Sequence, residues 1–278
     1  MKDKLKILIV LVVYRKKIAD IRFLKTFDFS CSNIHVYIHD NSPDSQYISA
    51  QNNITYYHDC HNSGVSHAYN RGFEIALKKG MDCILLLDQD TTFEFKCLIE
   101  YYSAYYEFGN KFIYAPCVCN VENDKQYSPA YMNRFVGHVL PFNKVYSAQL
   151  YQLNSRSVIN SGLMIPTSIF EKIGGYNQDI KLDFSDVYFI EKYKENNNNL
   201  VLLPVELIHS LSGDEGYDKA RELHRFKYYC IGARELTTSL EKNTLYTVIR
   251  RMVRLVVKYR TLNPLATVAK YYLSDGVL

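Results

Sequence analysis

Asp88 and Asp90 stand one residue apart at the end of the apolar run Ile84-Leu85-Leu86-Leu87. A strand that closes on two carboxylates gathers hard oxygen ligands at one point, which suits Mg2+ or Mn2+ and, through the cation, a phosphate group. A second acidic pair, Asp183 and Asp186, falls at the start of a helical pattern. The field of a helix N-terminus favours the ionised carboxylate that a general base requires, although a carboxylate with no task beyond the helix itself is equally at home there. His209, after a late strand, is a candidate metal ligand or a hydrogen-bonded structural histidine. Three more polar clusters could touch a ligand or simply form turns: Asp40-Asn41-Ser42, Asn62-Ser63-Gly64 and Asn160-Ser161-Gly162.

These groups need a frame that brings them together. Four apolar, β-branched segments, residues 6–13, 34–39, 54–58 and 81–88, alternate with helical patterns, the grammar of a parallel α/β sheet. Ala68, Gly72, Ile75 and Ala76 recur at helical spacing and predict a helix over 66–79. Asp40, Asn62 and Asp88 all follow strands, which assigns them to the carboxyl edge, where open α/β sheets bind ligands. Beyond Thr92 the alternation breaks: the pattern predicts a Tyr-rich helix over 95–106, a short strand over 112–115 and an irregular, β-rich stretch to about residue 155. A second ordered block follows, with a strand-like 157–166, a short helix over 168–173, a Gly174-Gly175 turn, a helix over 185–195 and a strand over 200–203. From Gly216 the pattern is helical. Within 244–259, Arg250, Arg251, Arg254 and Lys258 share one face and Ile249, Met252, Val253 and Val256 the opposite one, so the apolar face is expected to pack on the domain.

The order of these motifs resembles the family 2 glycosyltransferases, particularly the rhamnosyltransferase-like branch of bacterial cell-surface polysaccharide synthesis, from the first strand to Arg234. Asp40-Asn41-Ser42 resembles the family's Asp-Asn-x-Ser loop, Asn62-x-Gly64 with Asn70-x-Gly72 its Asn-x-Gly helix entry, and Asp88-Gln89-Asp90 its Asp-x-Asp segment. Asn160-Ser161-Gly162 and Gly174-Gly175-Tyr176 resemble the strand start and turn that border the acceptor, and Leu182-Asp183-Phe184-Ser185-Asp186 the Ile-Asp-Tyr-Val-Asp segment. His209-Ser210-Leu211 resembles the His-Ser-Leu-Gly segment, and Tyr228-Tyr229 with Arg234 the Tyr-Tyr helix that ends in Arg-Asn. This chain departs from the branch at Tyr188-Phe189, where an acidic residue and Trp are usual, at Ser212, inserted before Gly213, and at Glu235, which replaces Asn.

The resemblance implies a glycosyltransferase A-type fold: an α/β sandwich with a mostly parallel central sheet and a C-terminal helical extension. Residues 1–215 would form the transferase domain, with a nucleotide half over 1–92 and an acceptor half over 93–215, and 216–278 the helical extension. The implied reaction is inverting transfer from a nucleoside-diphosphate sugar, dTDP-rhamnose by likeness to the branch, to a glycan or lipid-linked glycan of a surface polysaccharide such as O-antigen. The resemblance assigns Asp40, Asn62, Gly64, Asn70 and Asp88 to the nucleotide, and Asp90, Asp88 and His209 to Mg2+ or Mn2+. It assigns Asn160, Ser161 and Gly162 to the acceptor, Asp186 to the base, and Asp183 to the alternative base.

Two other classes fit parts of the chain. Asp88-Gln89-Asp90-Thr91 also has the Asp-x-Asp-x-Thr form of haloacid dehalogenase-type phosphatases, with Asp88 as nucleophile and Gly213-Asp214 with Asp218 as a late acidic motif. That motif usually follows the first strand, however, and the phosphatase reading leaves Asp40, Asn62, Asp183 and Asp186 without a role. A sugar-nucleotide-binding protein without chemistry is the third reading, motivated by Tyr188-Phe189. In a chain of 278 residues, 47% hydrophobic and 22% charged residues allow one α/β domain with a short addition and exclude a disordered chain. With 25 Tyr and no Trp, the chain offers rings with one polar edge that can line a sugar site or pack half-buried. The net charge of +4, without a basic cluster interleaved with aromatics, marks no nucleic-acid track. Seven scattered Cys lack zinc-site spacing and fit reduced thiols in a cytoplasmic protein. The apolar run 7–13 is too short to span a bilayer, and the basic C-terminal face is expected either to be solvated or to meet anionic lipid at the inner face of the membrane.

Overall fold

Ile7–Val13 (β1) is apolar and buried at every position, as a central strand covered on both faces must be. The computed structural model describes residues 4–48, 51–120, 125–209 and 218–274, with Asn120 and His209 described through their backbones alone. After β1 come Arg22–Thr26 (α1), Ile34–Asp40 (β2), Ile54–His58 (β3), Val65–Lys78 (α2) and Cys83–Asp88 (β4). β1 pairs in parallel with β2 and β4, and β2 with β3, so the strands lie in the order β4-β1-β2-β3. Their registers set Asp88 beside Val12, Asp40 beside Val13, and His58 beside Asp40. Each strand therefore delivers its polar end to the same edge. α2 lies close over β1 because Gly72 lacks a side chain: a Cβ there would come 2.5 Å from Val10 Cγ2.

The chain continues with Thr91–Thr92 (β5), Leu98–Phe108 (α3), Tyr114–Asn120 (β6), Lys125–Asn133 (β7), Val136–Pro141 (β8), Gln149–Gln152 (β9) and Arg156–Ser157 (β10). Met164–Pro166 (β11), Thr167–Ile173 (α4), Ser185–Lys194 (α5) and Asn199–His209 (β12) complete the α/β part. The sheet extends past β4 through β11, antiparallel to β4 and β6, and on to β7 and β10, while β12 runs parallel to β6 and antiparallel to β5 and β9. The halves expected over 1–92 and 93–215 thus share one sheet. One apolar cluster, with Phe23, Phe27, Leu98 and Tyr101, covers one face, and a second, with Ala68, Tyr69, Phe170 and Phe189, covers the other.

Three expected strands change length, the one over 112–115 becoming Tyr114–Asn120. Of 157–166 only β11 is a longer strand segment, because Gly162 takes a φ of +81°, a left-handed backbone that no extended strand contains. The strand expected over 200–203 runs on to His209, since Pro204 sits within a register shift between Leu202 and Glu206, where the ladder asks no N–H of it.

Lys219–Leu240 (α6), Leu245–Tyr259 (α7) and Asn263–Val268 (α8) pack on the start of α5 around Phe184, Val187, Phe226, Leu236, Val248 and Leu255. Asp218 caps α6, its Oδ1 accepting from Arg221 N at 2.8 Å. α7 is rotated relative to expectation. Val248 and Leu255 are buried and Met252 and Val256 half-buried, but Ile249 and Val253 face outward, and Arg251 of the expected basic face turns inward. The inward guanidinium is stable because it meets Asp183. Among the described residues no helix is long and apolar enough to cross a membrane.

Candidate active site

β4 ends at Asp88, and the chain turns through Gln89 and Asp90 into β5. Gln89 fixes the turn. Its Oε1 accepts from Tyr14 N at 2.8 Å, its Nε2 donates to Tyr14 O at 3.0 Å, and Lys16 Nζ donates to its backbone O at 2.8 Å. The Tyr69 hydroxyl donates to Asp88 Oδ1 at 3.2 Å. Thr91 Oγ1 bonds Ser161 Oγ, and the Thr91 backbone pairs with that of His209. Position 209 is thereby placed beside the Asp-x-Asp turn. The His209 side chain, together with Ser210, Leu211, Ser212, Gly213 and Asp214, lies outside the described residues.

Asp186 stands in the first turn of α5 and accepts from Val187 N at 2.8 Å. Burial pushes its carboxyl up to about 6, the Val187 N–H pulls the other way, and the negative charges of Asp183 and Asp88 add to the rise. The helix field, expected to dominate at this position, is outweighed by the loss of water around the carboxylate. A carboxyl near 6 is mostly ionised at neutral pH and still accepts a proton well, as suits a general base. Asp88 and Asp186 also share a floor. The rings of Tyr69 and Tyr176 lie 4.9 Å apart, and each hydroxyl is held well above the ordinary tyrosine range, first by burial and then by the charges of the two aspartates. Tyr69 is absent from the sequence candidates, since a Tyr on the apolar side of a helix reads as packing.

Asp183 does not join this pair. Arg225 Nε and Nη2 lie 3.2 Å from its two oxygens, and Arg251 Nη1 lies 3.5 Å from Oδ1. The expected alternative base is ion-paired with two guanidiniums and ties α6 and α7 to the start of α5. Gly232 of α6 tightens that tie, because a Cβ there would collide with the Asp183 backbone oxygen.

The residues expected at the acceptor brace the two aspartates from behind. Asn160 Oδ1 accepts from the Tyr176 hydroxyl at 2.7 Å, and its Nδ2 donates to Ser185 Oγ at 3.2 Å, next to Asp186. Gly162 N donates to Leu86 O at 2.8 Å, and Gly162 O accepts from the Tyr101 hydroxyl at 2.6 Å. Asn160, Ser161 and Gly162 are all buried.

At the end of β2 Asp40 is wholly buried, and its carboxylate holds Ser42 N, Gln46 Nε2 and the Tyr56 hydroxyl at 2.9–3.0 Å. The unpartnered acceptor of this loop is its neighbour: Asn41 Oδ1 is buried without a hydrogen-bond partner. Such a group costs free energy until a donor reaches it, which points to a ligand hydroxyl or N–H. Asn70 clasps the Gly-Gly-Tyr turn, donating from Nδ2 to Tyr176 O at 2.8 Å and accepting from Tyr176 N at 2.9 Å. Asn62 takes a left-handed φ of 49°, in a loop held by Asp59, which accepts from Ser63 N and His61 N. Gly64, at φ +97°, leaves room for the Lys181 carbonyl, which accepts from Val65 N at 2.9 Å. Asp40, Asn62, Gly64 and Asn70 thus shape their own loops and helix entry through contacts within the protein, and Asn41 is the group that sequence reasoning passed over.

The carboxylates of Asp88 and Asp90 at one turn fit Mg2+ or Mn2+, which characteristically takes one or two carboxylates and completes its shell with water and phosphate oxygens. Among the described residues no cluster of three or more His, Cys, Asp or Glu could hold an ion alone.

A family model described as Glycosyl transferase family 2 matches residues 22–174, more than half of the chain. The chain belongs to glycosyl transferase family 2. A curated relative of this family 2 chain, named dTDP-rhamnosyl transferase RfbF of Shigella flexneri, is 23% identical over 166 residues, covering 55% of this chain and 51% of the relative. The chain thus spans about half the length of the curated relative it matches. Among solved structures, GalNAc-T7 with UDP, GalNAc and Mn2+ covers 86% of this chain and is itself covered over 52%, with a TM-score of 0.57 and 10% identity. S. aureus TarS 1-349 in complex with UDP covers 84% and is covered over 72%, with a TM-score of 0.51 and 13% identity. The fold is the glycosyltransferase A-type α/β fold, with a largely parallel sheet and C-terminal helices. The departures at Tyr188-Phe189 are absorbed by packing: Phe189 is buried and stacks on Tyr176 at 4.5 Å, and Tyr188 packs among the C-terminal helices. The phosphatase motif usually follows a first strand, whereas Asp88 follows the fourth.

Proposed function

We propose that this family 2 glycosyltransferase moves a sugar, rhamnose from dTDP-rhamnose in the favoured case, onto a hydroxyl of a glycan or lipid-linked glycan in surface polysaccharide synthesis, with inversion at the anomeric carbon. The reading is carried by one observation: Asp186, its carboxyl raised to about 6 by burial, stands near enough to Asp88 for their charges to act on each other and on the adjoining Tyr69 and Tyr176 rings. In the proposed step Asp186 takes the proton of the acceptor hydroxyl, and that oxygen attacks the anomeric carbon from the side opposite the diphosphate. The bond from that carbon to the diphosphate oxygen breaks with its electron pair, and the nucleoside diphosphate departs. Asp90 and Asp88, with position 209 beside them, would hold Mg2+ or Mn2+, which neutralises charge on the leaving diphosphate. Asn41 Oδ1 accepts from the nucleotide, and Asn160, Ser161 and Gly162 keep the acceptor side of the floor in place. Peripheral contact with the membrane brings a lipid-linked acceptor within reach.

A panel of sugar nucleotides, with and without Mn2+, tests the proposal by release of nucleoside diphosphate in the presence of a glycan acceptor. Transfer from at least one donor is expected. Release of phosphate from a sugar phosphate, with no turnover of any sugar nucleotide, would refute it.

A further inference from the structure

The outward side of α7 carries two columns next to each other. Ile249, Val253 and Val257 recur every four residues and are 39%, 49% and 71% exposed; Arg250, Arg254 and Lys258 repeat at the same spacing one residue on, all exposed. Past the helix end Leu262 and Leu265 are exposed as well, at 71% and 44%. A contiguous apolar stripe of this kind marks an interface, whereas single exposed side chains do not. Charge adds to the signal. Residues 245–274 contain six Lys and Arg and no Asp or Glu, and the rest of the chain holds 27 basic and 29 acidic residues. The whole net positive charge of the protein therefore resides in the segment that carries the stripe.

We propose that this face of α7 and α8 docks on a bilayer containing anionic lipid, with Val253, Val257 and Leu262 in the headgroup and acyl boundary and Arg254 and Arg260 on lipid phosphates. An apolar column flanked by a basic one matches both components of such a surface. A second copy of the chain fits less well, since a two-fold contact would set the arginine columns against each other with no acid in the segment to meet them. The inward side of the same helix reaches the catalytic segment. There Arg251 pairs with Asp183 at the start of α5, 3.5 Å from its Oδ1. The purpose of docking rests on the proposed lipid-linked acceptor, which the bilayer would hold beside Asp186; the docking itself is measured without turnover.

The chain has no Trp, so Val257→Trp supplies a single fluorescent reporter on the stripe. With vesicles of equal parts phosphatidylcholine and phosphatidylglycerol, its emission is expected to shift to shorter wavelength and the full chain to co-sediment, with much weaker binding to phosphatidylcholine alone. Val253→Asp combined with Val257→Asp is expected to weaken vesicle binding by roughly tenfold or more. Arg254→Gln and Arg260→Gln are each expected to weaken it about fivefold. Both pairs of substitutions leave turnover of a water-soluble acceptor unchanged. Vesicle binding without any turnover supports docking and refutes only the transferase reading. Unshifted emission, or undiminished sedimentation of the double Asp variant, overturns the proposal. So does a solution dimer that the double Asp variant converts to monomer, which hands the face to a second copy.

Discussion

Asp186→Asn separates the task of the base from its cost to the fold. Asn matches Asp in size and keeps an Oδ1 that accepts from Val187 N, but it neither carries charge nor takes a proton. The carboxyl of Asp186 lies near 6 in the folded chain against an ordinary value of 3.8. The sign follows from that direction: the folded state holds the proton more tightly than the unfolded one, so stability is greatest below 3.8 and falls as pH rises to about 6. A rise of about two units corresponds to at most about 3 kcal/mol at about 1.4 kcal/mol per unit, and the water still in contact with the side chain trims it to about 1–2 kcal/mol. Asp186→Asn is thus expected to raise Tm by roughly 2–4 °C at neutral pH, with the gain disappearing near pH 4. The variant should lose about a hundred- to ten-thousandfold in kcat. The kcat/KM of the unaltered enzyme should fall about tenfold per pH unit below about 6. Paired thermal melts of the two proteins across pH isolate this group, because the other titrations cancel in the difference. Retained turnover, a pH profile flat through 6, or a loss of stability at neutral pH would each refute the reasoning.

Asp90→Asn is expected to weaken binding of a nucleoside diphosphate at least about tenfold in the presence of Mn2+ and to leave metal-free binding unchanged, by calorimetry; an equal loss without metal would move Asp90 off the cation. Because a cation on one or two carboxylates completes its shell with phosphate oxygens, Mn2+ should bind weakly by itself and far more tightly once the diphosphate is added. Asn41→Ala is expected to raise KM for the donor several-fold with little change in Tm, since its Oδ1 has no protein partner to lose; an unchanged KM would leave that buried acceptor without a ligand. Gly232→Ala drives a methyl into the Asp183 carbonyl, and a destabilisation of about 1–3 kcal/mol with a lower kcat is expected. Wild-type denaturant midpoints and turnover would show that α6 does not brace the catalytic segment.

The two dominant forces in this fold act at different ranges, and that separates what could be read early from what could not. Parallel strands buried on both faces must be continuously apolar, and a polar residue at the end of such a run falls at the carboxyl edge whatever the rest of the chain does. Asp40 and Asp88 were therefore placed on one edge by strand grammar alone, and the registers of β1, β2 and β4 set them there. Strand grammar could not say which polar group in a loop is engaged. Asp40 and Asn70 have strong ligand chemistry but are taken up by Tyr56, Gln46 and the Tyr176 backbone, whereas Asn41 keeps an unpartnered oxygen.

By itself the sequence determined the parallel α/β frame, the Asp-x-Asp turn and the acidic start of α5, because each depends on short-range periodicity and on residue type. Tertiary structure alone decided that Asp186 is the raised carboxyl and Asp183 a tie for two arginines, since burial and guanidinium contacts come from α6 and α7, distant in the chain. It likewise decided the floor of Tyr69 and Tyr176, which joins α2 to the turn after α4, and the outward rotation of α7. A helix apolar around more than half its circumference does not specify which side it buries; the ion pair of Arg251 with Asp183 does.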